Sequence, residues 1–224
     1  MKKFELTSEF VTFLGKKLFR IKALVAFGDV EEGELGGFVE KEENLDQFGN
    51  AWVSGDAQVS GNAQVSSNAW VSGNAWVSGN AWVSGNARVH GNARVSGDAQ
   101  VSGDAWVHGN ARVSGDAQVS GNAWVSGDAQ VSGDAWVSGD AWVYGNAWVQ
   151  CCRDYSAASC FGSEDRTTTF FRTKDGGIGV RCGCFYGTLD EFREKVKERH
   201  GDRRLAKEYL MLADLMEFRL SKDE

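Results

Sequence analysis

Asn50-Ala51-Trp52-Val53-Ser54-Gly55 opens a run in which one six-residue unit, Asn/Asp-Ala-x-Val-Ser-Gly, recurs seventeen times without insertion, closing on Asn146-Ala147-Trp148-Val149. Ala and Val stand two apart, so on an extended chain they point to one side while x and Ser point to the other. The spacing therefore predicts Val and Ala inside and Trp, Gln, Arg and Ser outside. The Gly-Asn and Gly-Asp pairs are turn chemistry, because these residues tolerate the left-handed backbone region. Each unit reads as one short strand and one corner. A helix is excluded, since a period of six matches neither 3.6 nor 3.5 and a Gly in every unit would cost roughly 1 kcal/mol each against Ala.

This unit resembles that of the hexapeptide-repeat family, a left-handed parallel β-helix in which an aliphatic residue fills a prism. The resemblance implies three units per triangular coil, hence eighteen residues, and five to six coils over residues 50–149. The left hand also comes from the resemblance, being the reverse of the usual crossover. With that coil length the outward residues sort into three columns. One reads Trp52, Trp70, Arg88, Trp106, Trp124, Trp142. The second reads Gln58, Trp76, Arg94, Arg112, Gln130, Trp148, and the third Gln64, Trp82, Gln100, Gln118, Trp136. The replacements at the Ser position before the last unit, His90, His108 and Tyr144, all fall on the Trp-rich face.

A row of outward Trp with Arg88, His90 and His108 exceeds the apolar patch that a monomer ordinarily leaves in water, so this face is expected to meet a partner. Stacked Trp on a strand ladder also has a purely structural reading, at about 0.5 to 1.5 kcal/mol per pair. Two occupants are open. One is another copy of the chain, with the trimer common among hexapeptide helices as the expected assembly. The other is a nucleotide or sugar, stacked by Trp and neutralised by Arg88, Arg94, Arg112 and the histidines, or a host protein. The corner column Asn62, Asn80, Asp98, Asp116, Asp134 places three carboxylates about 4.8 Å apart. Solvated turn aspartates are the first reading and a metal ladder the second.

Outside the run the register is lost, dividing the chain into 1–48, 49–150 and 151–224. In the first segment Phe4-Glu5-Leu6 and Leu18 to Leu24 read as strands of a β cap, which a stack of coils needs over its first rung. In the last, Thr167–Thr173 and Ile178–Cys184 flank Lys174-Asp175-Gly176-Gly177 as a hairpin. Thr188-Leu189-Asp190-Glu191 is a capping box opening a helix to Gly201, and a second helix runs from about Asp202 to Leu220. A ββαα module is the expectation. Leu35-Gly36-Gly37-Phe38-Val39-Glu40 with Glu42-Glu43-Asn44-Leu45, and Cys182-Gly183-Cys184-Phe185 leading into Gly187-Thr188-Leu189-Asp190-Glu191-Phe192, resemble the ends of hexapeptide-repeat proteins of bacteriophages and prophages. That resemblance implies a viral origin and no particular reaction.

A formal net charge of −7 argues against general affinity for nucleic-acid phosphates. No stretch approaches the roughly 20 apolar residues of a membrane span. Five cysteines, Cys151, Cys152, Cys160, Cys182 and Cys184, are an odd count and read as reduced thiols in cytosol, which the phage resemblance implies is the cytoplasm of a bacterial host. Alternation places Cys182 and Cys184 on one face with Ile178 and Val180, as small buried hydrophobes, with zinc as the alternative. Acyltransferases of the hexapeptide family carry loops and a His base. No loop interrupts 49–149, and His90 and His108 supply two imidazoles with no third ligand, so a non-catalytic scaffold or binder without a cofactor is expected, ahead of an acyltransferase-like enzyme.

Overall fold

The structure, a computed structural model, describes residues 2–13 and 15–221. Strands β1 (Phe4–Phe13) and β2 (Lys16–Ala23) form an antiparallel hairpin, and β3 (Leu35–Val39) follows. Seventeen two-residue strands, β4 (Trp52–Val53) to β20 (Trp148–Val149), make the repeat run. The chain then forms β21 (Tyr155–Phe161), β22 (Arg166–Arg172), β23 (Ile178–Cys182), β24 (Phe185–Thr188), α1 (Leu189–His200) and α2 (Arg204–Leu220).

Every repeat strand but the last three pairs in parallel with the one eighteen residues on, as in Trp52 with Trp70 and Val53 with Val71. Three parallel sheets result, about six turns of coil, and the three columns are those of the eighteen-residue period. Each Val from Val53 to Val149 and each Ala from Ala51 to Ala141 is wholly buried. The core is thus a prism filled by two residue types, closed laterally by bonds such as Trp106 N–H to the Ala123 carbonyl at 2.9 Å.

The corners explain the glycines. Gly79 has φ +73°, and a Cβ there would lie 2.8 Å from the Gly97 carbonyl oxygen of the next coil. Ser67 is the exception, a non-glycine held at φ +61°. An L-residue in that region costs roughly 1–2 kcal/mol, so Ser67→Gly should raise unfolding stability by about 1 kcal/mol and Gly79→Ala should lower it by at least as much. Urea titration of the two variants checks both signs.

The direction of the ladder bonds makes the two ends chemically different. Each N–H points to the following coil, so the first coil presents carbonyl oxygens and the last presents N–H groups. Donors cover the first end. Lys3 Nζ donates to the Ala51 carbonyl at 2.9 Å, and Asn44 Nδ2 to the Gly61 and Ala63 carbonyls at 3.1 and 2.8 Å. Burial pushes the Lys3 ammonium down to about 8, against a smaller opposing pull from Asp46. Backbone N–H groups of Phe38, Glu40 and Asp46 complete the cover. Strand β3 pairs in parallel with Gln58–Val59, and the hairpin extends that sheet outward.

Acceptors cover the last end. Tyr155 Oη accepts from Ser138 N–H at 3.3 Å, Thr169 Oγ1 from Trp142 N–H at 2.9 Å, and Asp154 Oδ2 from Gln150 N–H at 2.8 Å. Phe171, wholly buried, belongs to the same core as the prism residues. Asp154 also pairs with Arg172 at 3.1 Å, and Arg172 donates to the Leu220 carbonyl, so one cation ties α2 to the last rung.

Three expectations for the ends are corrected. Strand β1 runs to Phe13 instead of stopping at Leu6, because β2 pairs with it through Phe13↔Lys16. The C-terminal module is ββββαα, an antiparallel meander β21-β22-β23-β24 under two helices, rather than ββαα. Strand β21, Tyr-Ser-Ala-Ala-Ser-Cys-Phe, carries no alternating pattern and is recruited by pairing with β22. Finally, Gly183 at φ +55° ends β23 at Cys182 and turns the chain, leaving Cys184 exposed and Cys182 half-buried, so neither is the buried hydrophobe expected.

Candidate binding face

The sheet carrying Trp52, Trp70, Arg88, Trp106, Trp124 and Trp142 holds its side chains in register because each x position lies directly opposite the x position of the next coil. Trp106 and Trp124 stack at 5.0 Å between ring centroids with planes 5° apart, and Trp124 and Trp142 at 4.9 Å and 10°. A guanidinium closes each end of this three-ring stack. Arg88 lies 5.1 Å from the Trp106 ring, and Arg181, from β23, lies 4.8 Å from the Trp142 ring.

A second row runs beside the first. His90 and His108 stack at 5.0 Å and 6°, and each turns its ring edge-on to an indole, His90 to Trp106 and His108 to Trp124. Elsewhere on the coil the same place is held by Ser, whose hydroxyl accepts the indole N–H, as from Trp70 to Ser54 at 3.1 Å and Trp82 to Ser66 at 3.0 Å. Histidine therefore replaces a hydrogen bond by ring contact, and the face becomes aromatic two residues wide.

Burial against the indoles is the larger cause that lowers the proton affinity of both imidazoles. Arg88 adds to it at His90, and His90 adds to it at His108. Both are depressed in the fold relative to the unfolded chain, so between the folded value and about 6.5 the unfolded state binds more protons. Stability should then be complete above that window and fall as pH drops through it. Thermal unfolding at pH 7 and pH 5 should show a smaller difference in a His90→Ser/His108→Ser variant than in the parent. Equal pH dependence in the two proteins would refute the role given to the histidine row.

Two clefts flank the stack. One, of about 750 Å³, is bordered by Trp70, Arg88, His90, Trp106 and Asn86, with Asp29 and Glu34 on its wall. The other, of about 640 Å³, lies at the opposite end against Trp142, Asp140, Arg166 and Arg181.

Several expected members of the face are elsewhere. Trp52 is wholly buried, with Phe27 edge-on at 5.4 Å. It is capped by the chain's own entry segment, where a Cβ on Gly36 would lie 2.7 Å from its ring. It is a core residue and not part of a contact surface. Arg94 and Arg112 adjoin each other on the second sheet, Arg94 lying 5.7 Å from the Trp76 ring, so they do not join Arg88. Tyr144 lies at the far end of the His row, edge-on to Tyr186 at 4.9 Å. The most exposed indoles are Trp82, Trp136 and Trp148 on the other two faces, at 47%, 55% and 37%, because no neighbouring Trp rung shields them. Arg181, Asp29 and Glu34 were not legible from the repeat, since they arrive from the two ends.

The cysteines do not form a cluster. Cys151 and Cys152 follow the last rung, Cys160 lies on β21, and Cys182 and Cys184 flank the Gly183 turn. Among the described residues no group of three or more His, Cys, Asp or Glu is placed to hold a metal ion, the corner aspartates included. Asp98 instead accepts from Asn80 at 2.8 Å. No described helix is long and apolar enough to cross a membrane.

The profile of the YdcK β-solenoid repeat matches eight windows of the chain, which together span residues 57–109 and 117–145. The repeat run is a β-solenoid. The matched windows fall wholly within the coil and include Trp70, Arg88, His90, Trp106, His108, Trp124 and Trp142, so the repeat itself carries the aromatic face. No curated protein gives a significant match to the chain.

Proposed function

We infer that this solenoid is a non-catalytic scaffold of phage or prophage origin, acting in the bacterial cytoplasm, whose Trp- and His-bearing face is a contact surface between copies of the chain. The observation that carries this reading is the three-indole stack closed by Arg88 and Arg181. The Val and Ala core is complete without it, so its apolar area serves something other than filling the prism. A flat, rigid row of rings loses little side-chain entropy on docking, which favours association. A trimer is the assembly that the hexapeptide resemblance implies. The absence of any loop within the run and the ring-to-ring engagement of both histidines support a binding role over an acyltransferase-like one.

The 750 Å³ cleft favours a second reading, capture of a small ligand. Trp70 offers a stacking surface and Arg88 one cation, while Asp29 and Glu34 oppose a multiply charged phosphate. A sugar or nucleoside moiety fits that balance better than a polyphosphate. Molar mass by light scattering over a concentration series, followed by native mass spectrometry for a retained small molecule, tests both. The expected result is a multiple of the chain mass. A monomer at all concentrations that retains nothing ends both readings.

A further inference from the structure

The C-terminal module holds a cavity of about 520 Å³ between α1 and the turn that joins β23 to β24. Phe185 and Phe192, tilted against each other at 5.6 Å, and Val196 form its apolar floor. Around the rim stand Arg166, Lys195, Arg199 and His200, with Glu164 as the only carboxylate. On a chain of net charge −7 this is a local inversion of sign. Glu164 is engaged with Arg166 at 3.5 Å and Lys195 with Glu198 at 2.7 Å, whereas no ion pair engages Arg199 or His200 among the described residues. His200 is held in place by stacking on Tyr209 at 5.7 Å. Cavities of this size take small organic molecules, and a few convergent polar groups over an apolar floor set their orientation.

We propose that this cavity is a second binding site, for an organic anion: a phosphate or carboxylate carried on a planar apolar body. The ring packs on Phe185 and Phe192, and the anion meets Arg199 with Arg166 and Lys195 in support, the guanidinium fork suiting either acid. The site owes nothing to the indole stack and stands whether or not the solenoid assembles through that face.

The chain supplies its own reporter. Cys184 lines the cavity and is exposed, while Cys152 and Cys160 are exposed outside it and serve as internal controls. Iodoacetamide alkylation of the full-length protein, read at each cysteine by peptide mass spectrometry, is followed with phenyl phosphate, phenylacetate or benzyl alcohol present. At millimolar concentration, one or both acids should slow Cys184 about fivefold, leaving Cys152 and Cys160 unchanged, and benzyl alcohol should do nothing. Which acid protects identifies the anion. Arg199→Ala, and separately Lys195→Ala, both on the exposed side of α1, should weaken protection when each is measured against its own unliganded rate. Protection by neither acid, equal protection by benzyl alcohol, equal slowing at the control cysteines, or full protection in both variants would each overturn the site.

Discussion

Replacing Trp106 and Trp124 together by Ser should leave the solenoid folded and abolish the association proposed for it. The two substitutions remove both stacked indole pairs, the Arg88 contact and the edge-on partners of His90 and His108. At about 0.5–1.5 kcal/mol per aromatic pair, the loss from stacking is about 1–3 kcal/mol. The prism of Val and Ala is untouched, so the far-UV spectrum and a cooperative transition should persist. Association should suffer more, since each indole can bury up to about 250 Å² at about 25 cal/mol per Å². Light scattering should report a monomer where the parent is an oligomer, or native mass spectrometry a lost ligand. If the variant keeps the parent's molar mass and bound partners, the stack is a surface ladder and the contact-face proposal fails. Trp82→Ser, on another face, is the control expected to change neither.

Removing residues 150–224 should convert the chain into aggregates. The Ser138 and Trp142 N–H groups would lose the acceptors Tyr155 and Thr169, and the prism would lose Phe171. What remains is an open rung with a row of free donors around a Val and Ala floor, the edge that templates further strand pairing. Deleting residues 1–49 as well exposes the complementary row of carbonyls at the other end. Such a piece should stack head to tail into filaments, because a heterologous contact with no closing rotation grows without limit. Sedimentation and electron microscopy distinguish the two products. A soluble 1–149 fragment with the parent's molar mass would contradict the role assigned to the module.

The entry cap was legible as a cap, and its Gly36-Gly37 pair gains a reason only in space. A Cβ on Gly36 would collide with Ile21, the Val53 carbonyl and Trp52, and one on Gly37 would lie 2.6 Å from the Ala57 carbonyl oxygen. The capping box at Thr188 and Glu191 was likewise readable, since both of its bonds are local, at 2.7 and 3.2 Å. Strand β21 was not, because its pairing energy comes from β22 rather than from any pattern of its own.

The sequence by itself determined the coil. A six-residue unit with one aliphatic, one small residue and one corner glycine allows a single way to bury Val and Ala, and the resemblance to hexapeptide helices supplies the period of eighteen. From that period the column of Trp52, Trp70, Arg88, Trp106, Trp124 and Trp142 follows by counting. Tertiary structure decided which members of the column remain a surface. Trp52 is taken into the core by the N-terminal cap, Arg94 and Arg112 stay on their own sheet, and Arg181 arrives from a strand remote in sequence to close the stack. The physical reason is that a repeat encodes only contacts at fixed separation, whereas the ends meet the coil through contacts of no fixed separation, set by shape, unpaired backbone groups and charge.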